Sequence, residues 1–261
     1  MDEALFKQPP PRKDCPICMH QLPIAEETVY KNCCGMTVCS GCVYAQMKVA
    51  EWSDTEQQRR LPNLTCPFCR LPTLYKRQDN IKRYNKRMEA GDADAVFTMG
   101  ASYMYGDDDT QQDIQKALEL FLRAVQLGSI EAQNKIGMLY SDGNYLPKDP
   151  KKSIYHFQQG AVKGCEYARF HIGLEEFKMG NIDRAIKHWV ISASIGHKSS
   201  LDNVEVGFTR GHATKAQYEK AMRGYQLYLD EAKTETRDKV RLPIQMDKAS
   251  KMREYEENRT R

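Results

Sequence analysis

The chain has 261 residues, 41% of them hydrophobic and 28% charged, with a formal net charge of +4. That length allows one large domain or two smaller ones, and so mild a charge does not by itself argue for nucleic acid or an anionic membrane as partner. The opening "MDEALFKQPPPRKD" holds no apolar h-region, and no run of 18 apolar residues follows, so neither a secretory signal nor a membrane span is expected. A reducing compartment, cytoplasm or nucleus, is the expected location. Clustered cysteines there hold metal more often than they form disulfides.

In chain order, residues 1–12 read as a short disordered leader around "QPPPRK". Residues 13–74 carry eight of the nine cysteines. They stand as Cys15-x2-Cys18, the adjacent Cys33-Cys34, Cys39-x2-Cys42 and Cys66-x2-Cys69. A C-x-x-C turn lets two sulfurs reach one metal at about 2.3 Å, and tetrahedral zinc takes four ligands, so eight thiolates imply two Zn2+ ions. Metal is also needed to fold a segment too short to bury much surface. Bound zinc contributes roughly 10–16 kcal/mol of apparent binding energy, which here is folding energy. Between Cys42 and Cys66, Val43, Met47 and Ala50 are at helical spacing. Trp52 closes that helix, and "LPNLT" leads as a loop into the last pair.

The string "CPIC…CCGMTVCSGC…CPFCR" resembles a RING finger. The resemblance implies a small α+β cross-brace in which Cys15, Cys18, Cys39 and Cys42 hold one zinc, and Cys33, Cys34, Cys66 and Cys69 the other. It places Met36 where many RINGs have a histidine. A neutral thioether is a poor zinc ligand beside thiolates. "CGMTVC" matches the all-cysteine RINGs, in which the leading cysteine, here Cys34, is the fourth ligand. Cys33 is then the third. Side chains of successive residues in extended backbone diverge, so the chain must turn sharply here, and Gly35 permits that turn. The resemblance further implies a docking surface for a ubiquitin-conjugating enzyme at Ile17, Pro67 and Arg70. A RING has no nucleophile of its own and acts by positioning. At the place four after the sixth ligand, where many active RINGs carry tryptophan or another apolar residue, this chain has Gln46.

From residue 80 the sequence repeats. Glycines stand at 91, 128, 164 and 196, at intervals of 37, 36 and 32 residues. Ala95, Ala132, Ala168 and Ser200 follow each by four, then Met99, Ile136, Ile172 and Val204; the first three of these precede Gly100, Gly137 and Gly173. Later in each unit a small residue (Ala117, Ser153, Ala185, Ala221) precedes an aromatic by four (Phe121, Phe157, Trp189, Tyr225). Such periods mean a stacked array, and the helical apolar spacing makes each unit a helix–turn–helix pair. The pattern in "ADAVFTMGASYMYG" and "EAQNKIGMLYSDG" resembles the Sel-one-like repeat, a relative of the tetratricopeptide repeat. The third unit departs from it at Glu176 and the fourth at Glu205. The fold class expected is therefore mainly α: a zinc-bound RING followed by an α-solenoid over 75–232.

Extending the second-helix register back by one unit lands on "NIKRYNKRMEAG", with Ile81, Tyr84 and Met88 at the apolar places. A capping helix of the array is expected there. Its basic residues, Lys76, Arg77, Lys82, Arg83, Lys86 and Arg87, would lie on the other face as a solvated surface. Cys165 reads as a small core residue, and His156, His171, His188, His197 and His212 lack ligand spacing. "GDDDT" at 106–110 reads as an exposed turn, and residues 233–261 as a charged, disordered tail.

The function expected is that of an adaptor-type RING ubiquitin ligase, with the conjugating enzyme on the RING and a protein substrate on the repeats. The rival readings are a non-catalytic scaffold with structural zinc and, ranked below it, RNA binding through the basic helix. That last reading lacks interleaved stacking aromatics.

Overall fold

A computed structural model describes residues 2–24, 27–51, 65–72, 77–106, 110–141, 143–235 and 237–238. Trp52, most of "LPNLT", Lys76, Asp107–Asp109 and residues 239–261 lie outside the described residues. The chain forms two compact units. Residues 1–12 and 74–229 make up the bulk of the helical unit, and 13–31 and 36–73 the bulk of the smaller, cysteine-rich one, to which Asp230 onward also belongs.

The helical unit opens with α1 (Asp2–Leu5) and continues with α3 (Arg77–Glu89), α4 (Ala93–Tyr105), α5 (Ile114–Gln126), α6 (Glu131–Ser141), α7 (Pro150–Val162), α8 (Glu166–Lys178), α9 (Ile182–Ser194), α10 (Lys198–Thr209) and α11 (Lys215–Ala232). Each helix from α3 to α9 packs on the next, and α6 also touches α8, first helix to first helix. This is the stacking of a solenoid. The repeating glycines have a structural reason. Gly91, Gly128, Gly164 and Gly196 all take φ between +77° and +103°, a left-handed conformation that closes a helix without a Cβ penalty. The residue after the turn then caps the next helix: Asp92 accepts from the Asp94 and Ala95 amides, and the Cys165 sulfur accepts from that of Ala168.

The second set of glycines works by contact. A Cβ on Gly100 would sit 2.8 Å from the Phe121 ring, one on Gly137 2.5 Å from Phe157, and one on Gly173 2.3 Å from Trp189. In three successive units the aromatic of the second helix thus lies directly on the glycine of the first. Trp189 also donates its indole N–H to the Phe170 carbonyl, at 3.2 Å. The small residue four before the aromatic lets the helices approach, and Ser153 donates to the Gly137 carbonyl at 2.9 Å. The fourth unit has no such contact. Glu205 is exposed at the glycine place, as expected of a unit near the end of an array.

Two further departures are explained. Glu176, which stands where a tyrosine is expected, is buried but accepts from Arg184 and Asn181, each at 2.9 Å. The capping helix is α3. Met88 packs against the core cluster of Val96, Phe121 and Ala132, and its carbonyl accepts from Arg123 at 2.7 Å. The disordered leader is a correction. Residues 2–12 lie against the repeats, with Leu5 fully buried among Phe157, Ala161, Ala168 and Ile172. Two apolar residues are enough to anchor a segment whose overall composition is polar and proline-rich.

Two outcomes follow. Gly137→Ala gains up to about 1 kcal/mol in helix propensity but forces a Cβ into a buried ring. Overpacking of that kind costs about 1–3 kcal/mol, so a net loss of stability is expected in denaturant unfolding. The His171 ring stacks on Phe157 at 4.8 Å, and burial, with the charges of His197, Lys135 and Lys178, pushes its pKa down from 6.5 to about 4. A depressed histidine is neutral when folded and protonates on unfolding. Stability is therefore full above pH 6.5 and falls as pH drops toward 4, by about 3 kcal/mol. His171→Leu is expected to flatten that part of the pH profile of thermal unfolding.

Candidate metal centre

The smaller unit is built on a hairpin, β1 (Thr28–Lys31) against β2 (Met36–Cys39), followed at once by α2 (Ser40–Glu51). Two loops of the same design carry the outer cysteine pairs. In the first, the Cys15 amide donates to the His20 carbonyl at 2.7 Å and the Met19 amide to the Cys15 carbonyl at 2.9 Å. In the second, the Cys66 amide donates to Leu71 at 2.8 Å and the Arg70 amide to Cys66 at 2.9 Å. Both close on a residue with φ +58°, Met19 and Arg70. An antiparallel bridge flanks each, Asp14 with Gln21 and Thr65 with Pro72. C-P-x-C thus folds twice into a knuckle that aims two sulfurs the same way.

The sulfurs gather in two sets of four. Those of Cys15, Cys18, Cys39 and Cys42 all lie within 4.8 Å of one another, and so do those of Cys33, Cys34, Cys66 and Cys69. All eight cysteines are free thiols. In the first set Cys15 and Cys42, and likewise Cys18 and Cys39, are 3.9 Å apart. A disulfide would need about 2.05 Å, whereas four sulfurs around one metal at about 2.3 Å stand about 3.8 Å apart. The donor set fits a tetrahedral thiophilic ion.

Electrostatics agree with that fit. Burial pushes the Cys15 thiol up, but the amides of Cys18, Cys39 and Ile17 outweigh it and bring its pKa down to about 6. Cys42 and Cys18 are pushed up, chiefly by burial. Close sulfurs cannot all ionise side by side without a cation among them. Val38, fully buried, with Leu22, Val29 and Val43, walls the first set from below.

Met36 opens β2 and is 36% exposed. The eight cysteines complete both sets without it. Gly35 has φ +78°, the sharp turn that the adjacent Cys33 and Cys34 require. Ile17 is 39% exposed, and Pro67 and Arg70 are exposed as well. Arg237 was not foreseen. It lies in the stretch expected to be disordered, yet it is only 2% exposed. Its guanidinium donates to the Cys18 sulfur at 3.4 Å, to the His20 carbonyl at 3.5 Å and to the Ala232 carbonyl at 3.2 Å. A Cβ on Gly41 would meet its backbone nitrogen at 2.7 Å. The only signal for it in the sequence is one arginine among many. Cys165 is a buried helix cap whose thiol burial pushes up, so it is no nucleophile.

A family model for the Sel1 repeat matches residues 93–129 and 130–165. These two units are Sel1 repeats. The rat (Rattus norvegicus) protein "DAP3-binding cell death enhancer 1" is 30% identical over 98 residues, 36% of this chain and 19% of its own length. The chain thus spans about a fifth of that curated relative. A Sel1 repeat protein from Oxalobacter formigenes superposes with a TM-score of 0.52 at 24% identity, over 59% of this chain and 65% of its own. The protective antigen c5321 of uropathogenic Escherichia coli follows with a TM-score of 0.49 and 22% identity, over 59% of this chain and 33% of its own. The Oxalobacter likeness shows the fold: α4 to α11 form a Sel1-type solenoid. Among the described residues, no helix is long and apolar enough to cross a membrane.

Elemental analysis of the reduced, purified chain is expected to return two equivalents of metal. Cys18→Ala is expected to retain one at most and to open residues 13–72 to protease.

Proposed function

We propose that the cysteine-rich unit is a zinc-bound RING module that recruits a ubiquitin-conjugating enzyme, and that the Sel1 array holds the protein to be modified. The observation that carries this reading is the interleaving of the sulfurs. The first and third pairs meet, and the second and fourth pairs meet. A cross-brace would require this pairing, whereas a simple pair of successive zinc loops would join neighbours instead. Zinc, once bound to four thiolates, has no open position and supplies rigidity alone.

Ile17 supports a docking role because a packing residue would be covered, and it is not. Pro67 stands at the equivalent turn of the second knuckle, and Arg70 follows the last ligand with its side chain in solvent. These residues would present an enzyme with an apolar contact and a cation while the thioester is held in a reactive pose. The repeats supply the second half of the reading, since Sel1 repeats are protein-binding surfaces. A reducing compartment would keep the thiols available to metal.

One residue favours the scaffold reading. Gln46, on α2, stands where the docking surface of many RINGs is apolar. The two readings separate in an autoubiquitination assay with zinc-loaded chain and a panel of conjugating enzymes. The ligase is expected to build chains with at least one enzyme, to lose at least tenfold in rate on Ile17→Ala and to lose all activity on Cys18→Ala. Absence of chains with every enzyme tried leaves the scaffold.

A further inference from the structure

Residues 5–12 cross the repeat surface in a way that reads as recognition. Leu5 fills a pocket of Phe157, Ala161, Cys165, Ala168 and Ile172. The Phe6 ring stands 4.7 Å from the His188 ring, with the Arg184 guanidinium 5.4 Å from its centre. Pro9 and Pro10 pass Gly164 so closely that a Cβ there would come within 3.3 Å of Pro10. Arg12 pairs with Glu166 at 3.5 Å, donates to the Ile195 carbonyl and lies 5.4 Å over the Tyr228 ring. The Leu5 carbonyl accepts from Arg169. Pockets for alternating anchors, a groove for stiff prolines and an acidic end-stop are how a surface reads an extended peptide.

The fit is also incomplete. Arg169 is almost wholly buried, bonds the carbonyls of Leu5 and Ala161, and leaves its Nε without a hydrogen-bond partner. A buried cation held by carbonyls alone is poorly compensated, so the leader's hold at this point is weak.

We propose that residues 5–12 are a tethered ligand on a peptide-binding face of the Sel1 array. The same face takes, in trans, an extended segment of another protein with an adjacent aliphatic–aromatic pair, prolines three and four residues after the aromatic, and a cation near its end. The proposal rests on the reading of the repeats as a protein-interaction surface and names the chemistry of the partner. Tethering holds the leader at an effective concentration on the order of millimolar, so the face is closed until a better-matched segment arrives.

The test is fluorescence anisotropy with a labelled peptide of sequence DEALFKQPPPRK and the full chain. Leu5→Asp with Phe6→Ala and Arg12→Ala removes all three anchors, and this chain is expected to bind the peptide at least tenfold more tightly than the unaltered chain. Adding Glu166→Gln should weaken that binding at least fivefold. Thermal unfolding checks that the repeats remain folded; should that variant unfold, Phe6→Ala with Arg12→Ala is held to the same criterion. Equal binding to closed and opened chains, or binding indifferent to Glu166, overturns the proposal. If the opened chain ignores the peptide yet still delivers ubiquitin to a substrate bound on the repeats, the inference alone fails. Loss of both defeats the broader reading.

Discussion

The solenoid depends on one repeated contact, an aromatic ring laid on a bare glycine. At Gly100, Gly137 and Gly173 the backbone of a first helix comes so near the ring of its partner that no side chain fits between them. That contact fixes how closely the two helices pack, and repetition fixes the rise from one pair to the next. The surface grooves are a consequence. The pocket for Leu5 is walled by Phe157 itself, the ring that covers Gly137. The ring that holds the array together also shapes what the array can hold.

The smaller unit follows a different rule. Among the described residues, its apolar cluster around the first sulfur set is Val38 with the half-buried Leu22, Val29 and Val43. Order is imposed by sulfur geometry and by backbone amides that point at sulfur, such as that of Cys39 toward Cys15 at 3.5 Å. A unit built this way can leave apolar residues such as Ile17, Met19, Phe68 and Leu71 in solvent without losing its fold. A protein that stabilised itself by burial would have to cover them. On the proposed reading of this unit as a metal-held docking module, the forces that fold it leave these apolar side chains over for a partner.

Arginines carry much of what joins separate parts of each unit. Among the described residues, Arg169 and Arg237 are the largest fully buried side chains, and each reaches across a long stretch of sequence, to Leu5 and to Cys18. The planar fork of guanidinium allows several carbonyls, or a sulfur and a carbonyl, to be met at once. Both arginines leave Nε without a hydrogen-bond partner.

The sequence by itself determined the local architecture. Period, helical spacing and glycine placement located the helix pairs from 93 onward, because the αL turn and the ring-on-glycine contact each demand a particular residue at a particular place. C-x-x-C spacing marked the cysteine pairs as metal-type knuckles, whereas their assignment to two sets of four came from the resemblance to RING fingers. The capping helix was legible too, since Ile81, Tyr84 and Met88 repeat a register already established. What only the tertiary structure decided is where isolated residues from polar segments come to rest. Leu5, Phe6 and Arg12 sit in a proline-rich string, and Arg237 in a run of charges, so no periodicity marks them. Glu176 broke the repeat pattern in sequence and was explained only when Arg184 and Asn181 were seen beside it. A periodic signal arises from contacts that recur along the chain, whereas a contact made once, between distant segments, leaves no pattern to read.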